Sequence, residues 1–304
     1  METRLEICRT PEELAALDSL AGDRPLVLVP TMGALHEGHL SLVKLGRNLG
    51  PVVVSIFVNP TQFGQGEDFE SYPRDLTRDL DLLAPLGAAA VFYPSVETMY
   101  GSDGEVTVQP GNRARGLCGG NRPGHFTGVL TVVAKLFGAV RPDIAVFGRK
   151  DAQQCLVIGQ MVENLKMPIH LIDAATVREP DGLALSSRNR YLDPEQRSRA
   201  VCLYRALSAG RDQLASGQFH RDEVVAAMTR ELEAADTIEY AEVRSVPDLA
   251  SVTRVSGRTL LAVAARVGPA RLIDNFVVDV TESGVTDGFL LGQAEQYISQ
   301  RGAR

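Results

Sequence analysis

The segment that most constrains the fold is an apolar run, Leu26 to Val29, followed at once by a glycine-containing turn and a helix start. The run has the length and composition of a buried strand, and the spacing of Leu40, Val43 and Leu45 is typical of a helix. A helix start carries unsatisfied backbone N–H groups and the positive end of the helix dipole, so the turn favours an anion, above all phosphate. The pattern therefore predicts a strand–turn–helix unit with a ligand at the end of the strand.

Two histidines, His36 and His39, lie three positions apart in this turn. At that spacing both side chains can lie on one side of the first helical turn. Two imidazoles beside a phosphate-binding turn suggest contacts to a polyphosphate whose charge grows during reaction. A metal pair is a weaker interpretation, because the zinc-protease helix has its histidines four apart with a glutamate between them. Two surface histidines beside a structural turn remain an alternative at this point.

Composition and charge narrow the class of protein. The 304 residues are enough for about two domains, and 44% hydrophobic with 23% charged residues is ordinary for a globular protein with a sizeable core. A net charge of −7 argues against general binding to nucleic acid or to a membrane surface. Four scattered cysteines without a Cys-x-x-Cys pair predict a reducing, cytoplasmic location, and no signal peptide is visible.

The pattern of strand, polar turn and helix recurs. The apolar residues 52–58 predict a second buried strand, and Gln62 follows it as an amide that can both donate and accept hydrogen bonds. The apolar residues 144–147 predict a further strand, directly followed by the polar residues 148–151. Because open α/β sheets bind ligands at the carboxyl ends of parallel strands, the repetition predicts one ligand cleft at the top of one parallel sheet.

Two further polar segments are ambiguous when each is read alone. Arg122 and His125 stand just before a predicted helix start, a favourable place for an anion, although a structural loop explains them equally well. Ser186-Ser187-Arg188 combines two hydroxyl groups with a guanidinium, which suits phosphate oxygens, and its alternative is a polar linker. Neither segment identifies a function by itself.

The pattern of apolar and polar residues changes at about residue 194, where a smaller α+β region begins. Its patterning predicts two helices and then three strands: 194–215, 221–234, 238–243, 258–267 and 271–280. The final stretch carries little apolar patterning and is interpreted as an extension, helical near its end. We therefore predict an α/β protein with a Rossmann-like parallel-sheet domain over residues 1–177 and a smaller α+β lid domain over residues 178–304, which includes the C-terminal extension.

Taken together, the ordered motifs closely resemble those of the pantothenate synthetase family, the pantoate–β-alanine ligases. The resemblance extends from about residue 25 to residue 280. It rests on six segments: 30–39 (PTMGALHEGH), 54–63 (VSIFVNPTQF), 72–74 (YPR), 122–126 (RPGHF), 147–154 (FGRKDAQQ) and 181–189 (DGLALSSRN). The turn from His36 to His39 is similar to the HIGH signature of a nucleotidyltransferase superfamily, and the segment from Ser186 to Arg188 resembles the second signature loop of that superfamily.

The resemblance implies an enzyme of pantothenate and coenzyme A biosynthesis. ATP and (R)-pantoate would give enzyme-bound pantoyl adenylate and pyrophosphate, and the amine of β-alanine would then displace AMP to give pantothenate. Mg²⁺ would bridge phosphate oxygens, which needs few protein carboxylates. The implied partners are these small molecules and a second copy of the chain in a homodimer, without nucleic acid or membrane. Because an acyl adenylate hydrolyses in water, a closing lid has a clear purpose.

The resemblance also implies the site residues. The catalytic group comprises His39 as the acid and four further donors that neutralise charge on the leaving pyrophosphate, namely His36, Lys150, Ser187 and Arg188. The residues implied to line ATP are Met32, Gly33, Ala34, Leu35, His36, Glu37, Gly38, His39, Gly148, Arg149, Lys150, Asp151, Val177, Leu185, Ser186, Ser187 and Arg188. Pantoate would be held by Gln62 and Gln154, with Gln62 also meeting β-alanine and with Arg122 and His125 as further substrate-binding residues. Asp79 is the implied metal-side residue.

The sequence departs from the family pattern at several positions, although none of the departures removes an invoked donor. Arg149 stands where the family usually has glutamate, and Ala152 stands where it often has an aromatic residue. Two other functions therefore stay open. A simpler nucleotidyltransferase would make an activated product without needing β-alanine, and a regulatory protein that has lost catalysis would bind ATP without releasing AMP. The charge reversal at Arg149 is the feature that supports the second alternative.

Overall fold

The computed structural model describes residues 5–16, 22–102, 106–294 and 297. Within these residues the β-strands are β1 Glu6–Cys8, β2 Val27–Thr31, β3 Val52–Ile56, β4 Ala90–Phe92, β5 Ile144–Gly148, β6 His170–Ala174, β7 Thr237–Ser245, β8 Gly257–Val267, β9 Ala270–Thr281 and β10 Gly284–Asp287. The α-helices are α1 Pro11–Ala15, α2 Glu37–Leu49, α3 Leu76–Leu83, α4 Val96–Tyr100, α5 Leu117–Asn121, α6 His125–Val140, α7 Ala152–Asn164, α8 Pro194–Arg199, α9 Cys202–Ala215 and α10 Arg221–Glu231.

The chain divides into two compact units. The first unit consists of the described residues up to Gly148, of Gln153–Ala174 and of the described residues from Leu291 onward. The second unit consists of Arg149–Ala152 and Ala175–Leu290. The domain limits expected from sequence, 1–177 and 178–304, stay a prediction. The last residues of the predicted C-terminal extension, 298–304, lie outside the described residues.

A six-stranded parallel sheet forms the centre of the first unit, in the order β1-β4-β3-β2-β5-β6. All residues of β3 are buried, as expected for a mainly apolar strand that is covered on both faces. The chain runs outward from β2 through β3 and β4, and then β5 pairs with the other side of β2. This reversal beside β2 is the position at which open α/β sheets bind ligands.

The pairing of β2 with β5 is confined to the beginning of both strands. Val27 and Leu28 pair with Ile144 and Ala145, and no further pairs follow. The carboxyl ends of the two strands are therefore not joined by ladder hydrogen bonds, which leaves a crevice in the sheet at the reversal point. The predicted α/β architecture with its parallel sheet is confirmed.

Helix α6 supplies much of the apolar packing of the first unit. Most of its 16 residues are buried, including Phe126, Leu130 and Phe137. Its length is below the ~20 apolar residues that a membrane-spanning helix needs. In the described part of the chain, no helix combines the length and the apolar character required to cross a bilayer.

The second unit has a four-stranded antiparallel sheet in the order β10-β9-β8-β7. Helices α9 and α10 pack against one side of it, where Leu207 of α9, Met228 of α10 and Leu261 of β8 belong to one core and are fully buried. The three predicted strands are confirmed as β7, β8 and β9. The single helix predicted over 194–215 is wrong in one respect, because a tight turn separates α8 from α9. There, the Leu203 N–H donates to the Ala200 carbonyl three residues back, which interrupts the α-helical ladder.

Candidate functional site

The turn after β2 has a backbone that only a few residue types can adopt. Gly33 has φ +77° and Ala34 has φ +51°, so two consecutive residues lie in the left-handed region. A Cβ atom on Gly33 would lie 2.9 Å from Asp79 Oδ2 and 3.0 Å from Ile56 Cγ2. The Thr31 hydroxyl accepts the Gly33 N–H at 3.1 Å. Glycine is therefore required at position 33 both for its conformation and for the close approach of Asp79.

The Asp79 carboxylate holds the turn in this conformation. Its Oδ2 accepts the Ala34 N–H at 2.9 Å, and its Oδ1 accepts the Leu35 N–H at 2.8 Å. The neighbouring Arg78 donates to the Leu35 carbonyl at 3.3 Å. Burial raises the pKa of Asp79, although the two backbone N–H groups act in the opposite direction. The side chain is 1% exposed, so these contacts make Asp79 an internal anchor for the turn.

His36 is the N-cap of α2, and its imidazole takes part in the cap. Its Nδ1 accepts the Gly38 N–H at 3.2 Å. Because Nδ1 uses its lone pair in this bond, the neutral imidazole carries its proton on Nε2, which is then a donor. The ring of His39 lies 4.1 Å from the ring of His36, centroid to centroid, at an interplanar angle of 34°. The two predicted catalytic histidines are thus adjacent at the helix N-terminus, where the dipole favours an anion.

A network of side chains fixes the amide of Gln62. Asn59 donates from Nδ2 to Gln62 Oε1 at 3.0 Å, and Gln62 Nε2 lies 3.1 Å from the sulfur of Met32. The Tyr100 hydroxyl donates to Asn59 Oδ1 at 2.6 Å. Asn59 is 1% exposed. Since Oε1 of Gln62 is engaged as an acceptor, the amide presents its N–H groups for any further contact. Tyr100 was not predicted from the sequence, because no local pattern indicates it.

Arg122 and His125, predicted to bind substrate, contact the main chain of Gln62. His125 Nδ1 lies 2.8 Å and Arg122 Nη2 lies 3.2 Å from the Gln62 carbonyl oxygen. Arg122 also forms a two-pronged ion pair with Glu67, at 2.6 and 2.5 Å. Burial by itself would raise the pKa of Glu67, but hydrogen bonds from Arg122 and from the Gly64 N–H outweigh it and lower the pKa to about 2. This ion pair fastens the loop after β3 and was not predicted.

The two adjacent glutamines of α7 have different environments. Gln153 is 5% exposed and donates from Nε2 to the carbonyls of Arg113 and Gly116, at 3.0 and 3.2 Å. Gln154, the predicted pantoate ligand, is half-buried. Gln153 is therefore committed to the internal structure, and the role of Gln154 stays a prediction. Gly148, predicted to line ATP, lies at the end of β5 and accepts a hydrogen bond from the Cys155 thiol.

The second unit contains the predicted ATP segment Arg149–Asp151, which forms a single 3₁₀ turn. The side chain of Asn275 holds its main chain, donating from Nδ2 to the Arg149 carbonyl at 3.1 Å and to the Lys150 carbonyl at 2.8 Å. Arg149 and Lys150 are both half-buried. Asn275 was not predicted from the sequence.

The second predicted ATP segment of this unit is the loop that leads to Ser186, Ser187 and Arg188. The Leu185 N–H donates to the Val177 carbonyl at 3.0 Å, which brings these two predicted residues together. Ser186 caps a short 3₁₀ helix, Ser187–Tyr191, because its Oγ accepts the Arg188 N–H at 3.3 Å. The Ser186 hydroxyl oxygen is thus engaged with the main chain of the loop.

Comparison with known proteins identifies the family. Residues 6–277 match the family model described as pantoate-beta-alanine ligase. Pantothenate synthetase from Moorella thermoacetica is 52% identical over 258 residues, which cover 84% of this chain and 91% of that protein. Pantothenate synthetase 1 from Bradyrhizobium diazoefficiens is 47% identical over 275 residues, covering 88% of this chain and 96% of the relative.

Solved structures give the same result. The crystal structure of pantothenate synthetase from Thermus thermophilus has a TM-score of 0.85 at 44% identity and covers 89% of this chain and 98% of its own. Pantoate-beta-alanine ligase from Francisella tularensis, complexed with β-γ ATP and β-alanine, has a TM-score of 0.75 at 33% identity, with coverages of 90% and 97%. The family model spans most of the chain and the relatives share about half of its residues, so this chain belongs to the pantoate–β-alanine ligase family, the pantothenate synthetases.

Proposed function

We propose that this chain is an AMP-forming ligase that joins (R)-pantoate to β-alanine with ATP and releases pantothenate and pyrophosphate. The observation that carries the proposal is the pair of adjacent imidazoles, His36 and His39, at the N-terminus of α2, with the amide of Gln62 in contact with Met32 of the preceding turn. Donors of this kind suit phosphate and carboxylate oxygens. The complex of the Francisella tularensis relative with β-γ ATP and β-alanine supports both molecules as substrates here.

The first step transfers AMP to pantoate. A carboxylate oxygen of pantoate bonds to the α-phosphorus of ATP, and the bond from that phosphorus to the bridging oxygen of pyrophosphate breaks. Negative charge grows on the leaving oxygen, so His39 and the Nε2–H of His36 are proposed to donate to the phosphates as the charge develops. The positive end of the α2 dipole acts in the same direction.

The second step forms the amide. The amine nitrogen of β-alanine bonds to the acyl carbon, the bond from that carbon to the AMP oxygen breaks, and the amine loses a proton. Gln62 is proposed to donate from its amide N–H to a carboxylate or hydroxyl oxygen of pantoate and to meet β-alanine. Its Oε1 is held by Asn59, so the orientation is set before the substrate arrives. Gln154 is the second proposed pantoate ligand, with Arg122 and His125 as further substrate-side residues.

The remaining ATP contacts are proposed as the family resemblance implies them. In the first unit they are Met32, Gly33, Ala34, Leu35, Glu37, Gly38 and Gly148, beside the two histidines. In the second unit they are Arg149, Lys150, Asp151, Val177, Leu185, Ser186, Ser187 and Arg188. Of these, Lys150, Ser187 and Arg188 are proposed to neutralise charge on the leaving pyrophosphate.

Mg²⁺ is proposed to arrive as a complex with the ATP phosphates, where it would offset phosphate charge. Both oxygens of Asp79 accept backbone N–H groups, and the described residues include no cluster of three or more His, Cys, Asp or Glu side chains suited to a metal. A metal-side role for Asp79 stays a prediction. A homodimer and a cytoplasmic location are expected as well.

AMP and pyrophosphate release from ATP and pantoate, measured with and without β-alanine, tests the function. We expect pyrophosphate release limited to about one equivalent per enzyme without the amine, and steady AMP release with pantothenate formation once β-alanine is added. Steady pyrophosphate release without any amine requirement would instead identify a simpler nucleotidyltransferase. ATP binding without turnover would favour the regulatory alternative that Arg149 keeps open.

A further inference from the structure

Two separate segments of the second unit are fastened to the same pair of neighbouring residues on β9, Asp274 and Asn275. One segment is Arg149–Asp151, which carries Lys150, and the other is the loop between Arg178 and Arg190, which carries Ser187 and Arg188. Both residues of the pair are buried, at 3% and 5% exposure. Two adjacent buried polar residues are unusual within a strand and need an explanation in terms of what they bind.

Asn275 fixes the first segment through both hydrogens of one amide nitrogen. The two bonds reach consecutive main-chain carbonyls, those of Arg149 and Lys150, so they define the position and the tilt of the peptide between them. Within the described residues, the buried Oδ1 of the same amide has no hydrogen-bond partner. A buried acceptor without a partner lowers stability. The Asn275 side chain therefore acts through the two donors on Nδ2, while its Oδ1 remains without a hydrogen bond in the described part of the chain.

Asp274 fixes the second segment through Arg178. The carboxylate takes two guanidinium bonds, at 2.6 and 3.0 Å, and its Oδ1 also accepts the Asn275 N–H at 2.8 Å. The guanidinium is itself locked, because it lies 5.1 Å from each of the ring centroids of Tyr204 and Phe276. A bidentate pair of this kind fixes orientation as well as distance.

The same guanidinium reaches the loop directly. Arg178 donates to the Gly182 carbonyl at 3.0 Å. Gly182 has φ +94°, and a Cβ atom there would lie 2.1 Å from the Tyr204 ring. The start of the loop is thus clamped against Tyr204, and the Asn189 side chain closes the loop further along by donating to the Ala184 carbonyl at 3.1 Å. The loop is a supported turn rather than an open linker.

We propose that Asp274 and Asn275 are positioning residues for ATP. Asn275 places the main chain that carries Lys150, and Asp274 acts through Arg178 to place the loop that carries Ser187 and Arg188. The proposal rests on the proposed function, since the contacts of these three donors with ATP belong to it. Displacing a phosphate-binding donor by about 1 Å is enough to lower the rate roughly 10²-fold, so loss of the supporting bonds has a measurable effect.

The test uses the full chain with Asn275→Asp, which keeps the size of the side chain but removes both donors. Asn275→Ser, smaller and still a donor, is the second variant. The matched control is Asp279→Asn on the same strand, whose carboxylate pairs with Arg258. Each protein is titrated with a non-hydrolysable ATP analogue by calorimetry, thermal unfolding establishes that it is folded, and steady-state kinetics give KM for ATP and for β-alanine.

We expect Asn275→Asp to weaken analogue binding and to raise KM for ATP about tenfold or more, as a displaced donor requires, while KM for β-alanine stays unchanged. The Asp279→Asn control should have the wild-type affinity for the analogue. The affinity of Asn275→Ser should lie between that of Asn275→Asp and that of the control. If Asn275→Asp does not fold, the affinity of Asn275→Ser is the deciding result. Wild-type affinity in folded Asn275 variants would overturn the proposal, as would equal changes in both KM values. If wild type binds the analogue but forms no pantothenate, the proposed function fails while the positioning role stands on the binding data.

Discussion

The turn after β2 and the two segments of the second unit are both proposed to bind phosphate, but they are supported in different ways. In the turn, a helix N-terminus and two left-handed residues create the site locally, and one carboxylate, Asp79, braces it from 45 positions along the chain. The second-unit segments depend on β9. Asn275 lies 125 positions from Lys150, and Asp274 lies 96 positions from Arg178.

The difference shows what holds the phosphate-binding groups of a site in position. A site made by a helix N-terminus needs few partners, because backbone N–H groups are already aligned there. A site made by long side chains such as Lys150 and Arg188 depends on how well the main chain beneath them is held, since these side chains have many rotamers. Variants in the first region should therefore impair chemistry most, and variants beneath the second should impair ATP binding most.

The largest expected effect is at His39. His39→Ala should leave the fold intact and slow adenylate formation by a factor of about 10² or more, because a donor to the developing charge is lost. Single-turnover pyrophosphate release from ATP and pantoate measures this step. His170→Ala, an exposed histidine on β6, is the matched control. Near-normal pyrophosphate release by His39→Ala would remove this residue from the mechanism and with it the contrast between the two regions.

Asp79→Asn should have the next largest effect. The substituted amide can accept only one of the two backbone N–H groups and places its own N–H₂ against the other, so the turn from Gly33 to Leu35 loses its anchor. We expect a cost of about 1–3 kcal/mol in the free energy of unfolding and a fall of roughly tenfold in the rate of adenylate formation. Denaturant unfolding and the single-turnover assay measure both. If the Asp79→Asn protein loses stability but forms the adenylate at the wild-type rate, Asp79 contributes to folding only.

The pH dependence of the free energy of unfolding tests the role of Glu67 in the first region. Its pKa falls from an ordinary 4.5 to about 2 in the folded chain, so its contribution to stability is fully present above about pH 5 and is lost as the pH falls from there towards 2. With 25% of the side chain exposed, we expect this contribution to be on the order of 2 kcal/mol. The stability difference between wild type and Glu67→Gln should therefore shrink between pH 5 and pH 3. A constant difference would contradict the ion pair with Arg122.

Arg149→Glu should have the smallest effect. The substitution restores the residue that the family usually has, and Asn275 holds the main chain of this residue rather than its side chain. We expect activity to be kept or raised, within about threefold, because the main-chain support from Asn275 does not depend on the side chain at this position. Steady-state turnover at saturating ATP measures it. A large loss of activity would show that this chain depends on the arginine itself.

The sequence predicts the first region well because its determinants are local. Gly33, His36 and His39 form one short motif, and the helix start that they imply begins at Glu37. The same holds for β7, β8 and β9, whose apolar alternation is readable. The edge strands β1 and β10 are too short to show such an alternation, since they have only three and four residues.

The supporting residues are harder to predict because they are distant in sequence from what they hold. Asp79 lies in an unremarkable acidic helix, and Tyr100 reaches Asn59 from 41 positions away. Asp274 and Asn275 are indicated in part by the sequence, because two consecutive polar residues interrupt the alternation of apolar and polar residues along the strand. That interruption indicates an internal role, but it does not identify the partners, which depend on how the chain folds back.

The most direct test of the central claim follows the carboxylate oxygen of pantoate. The enzyme is given pantoate labelled with ¹⁸O in its carboxylate, together with ATP and β-alanine, and the AMP and pyrophosphate are analysed by mass spectrometry. Reaction through pantoyl adenylate predicts that AMP gains one labelled oxygen and that pyrophosphate gains none. Label in pyrophosphate, or AMP without label although pantothenate carries its single labelled amide oxygen, would contradict the account.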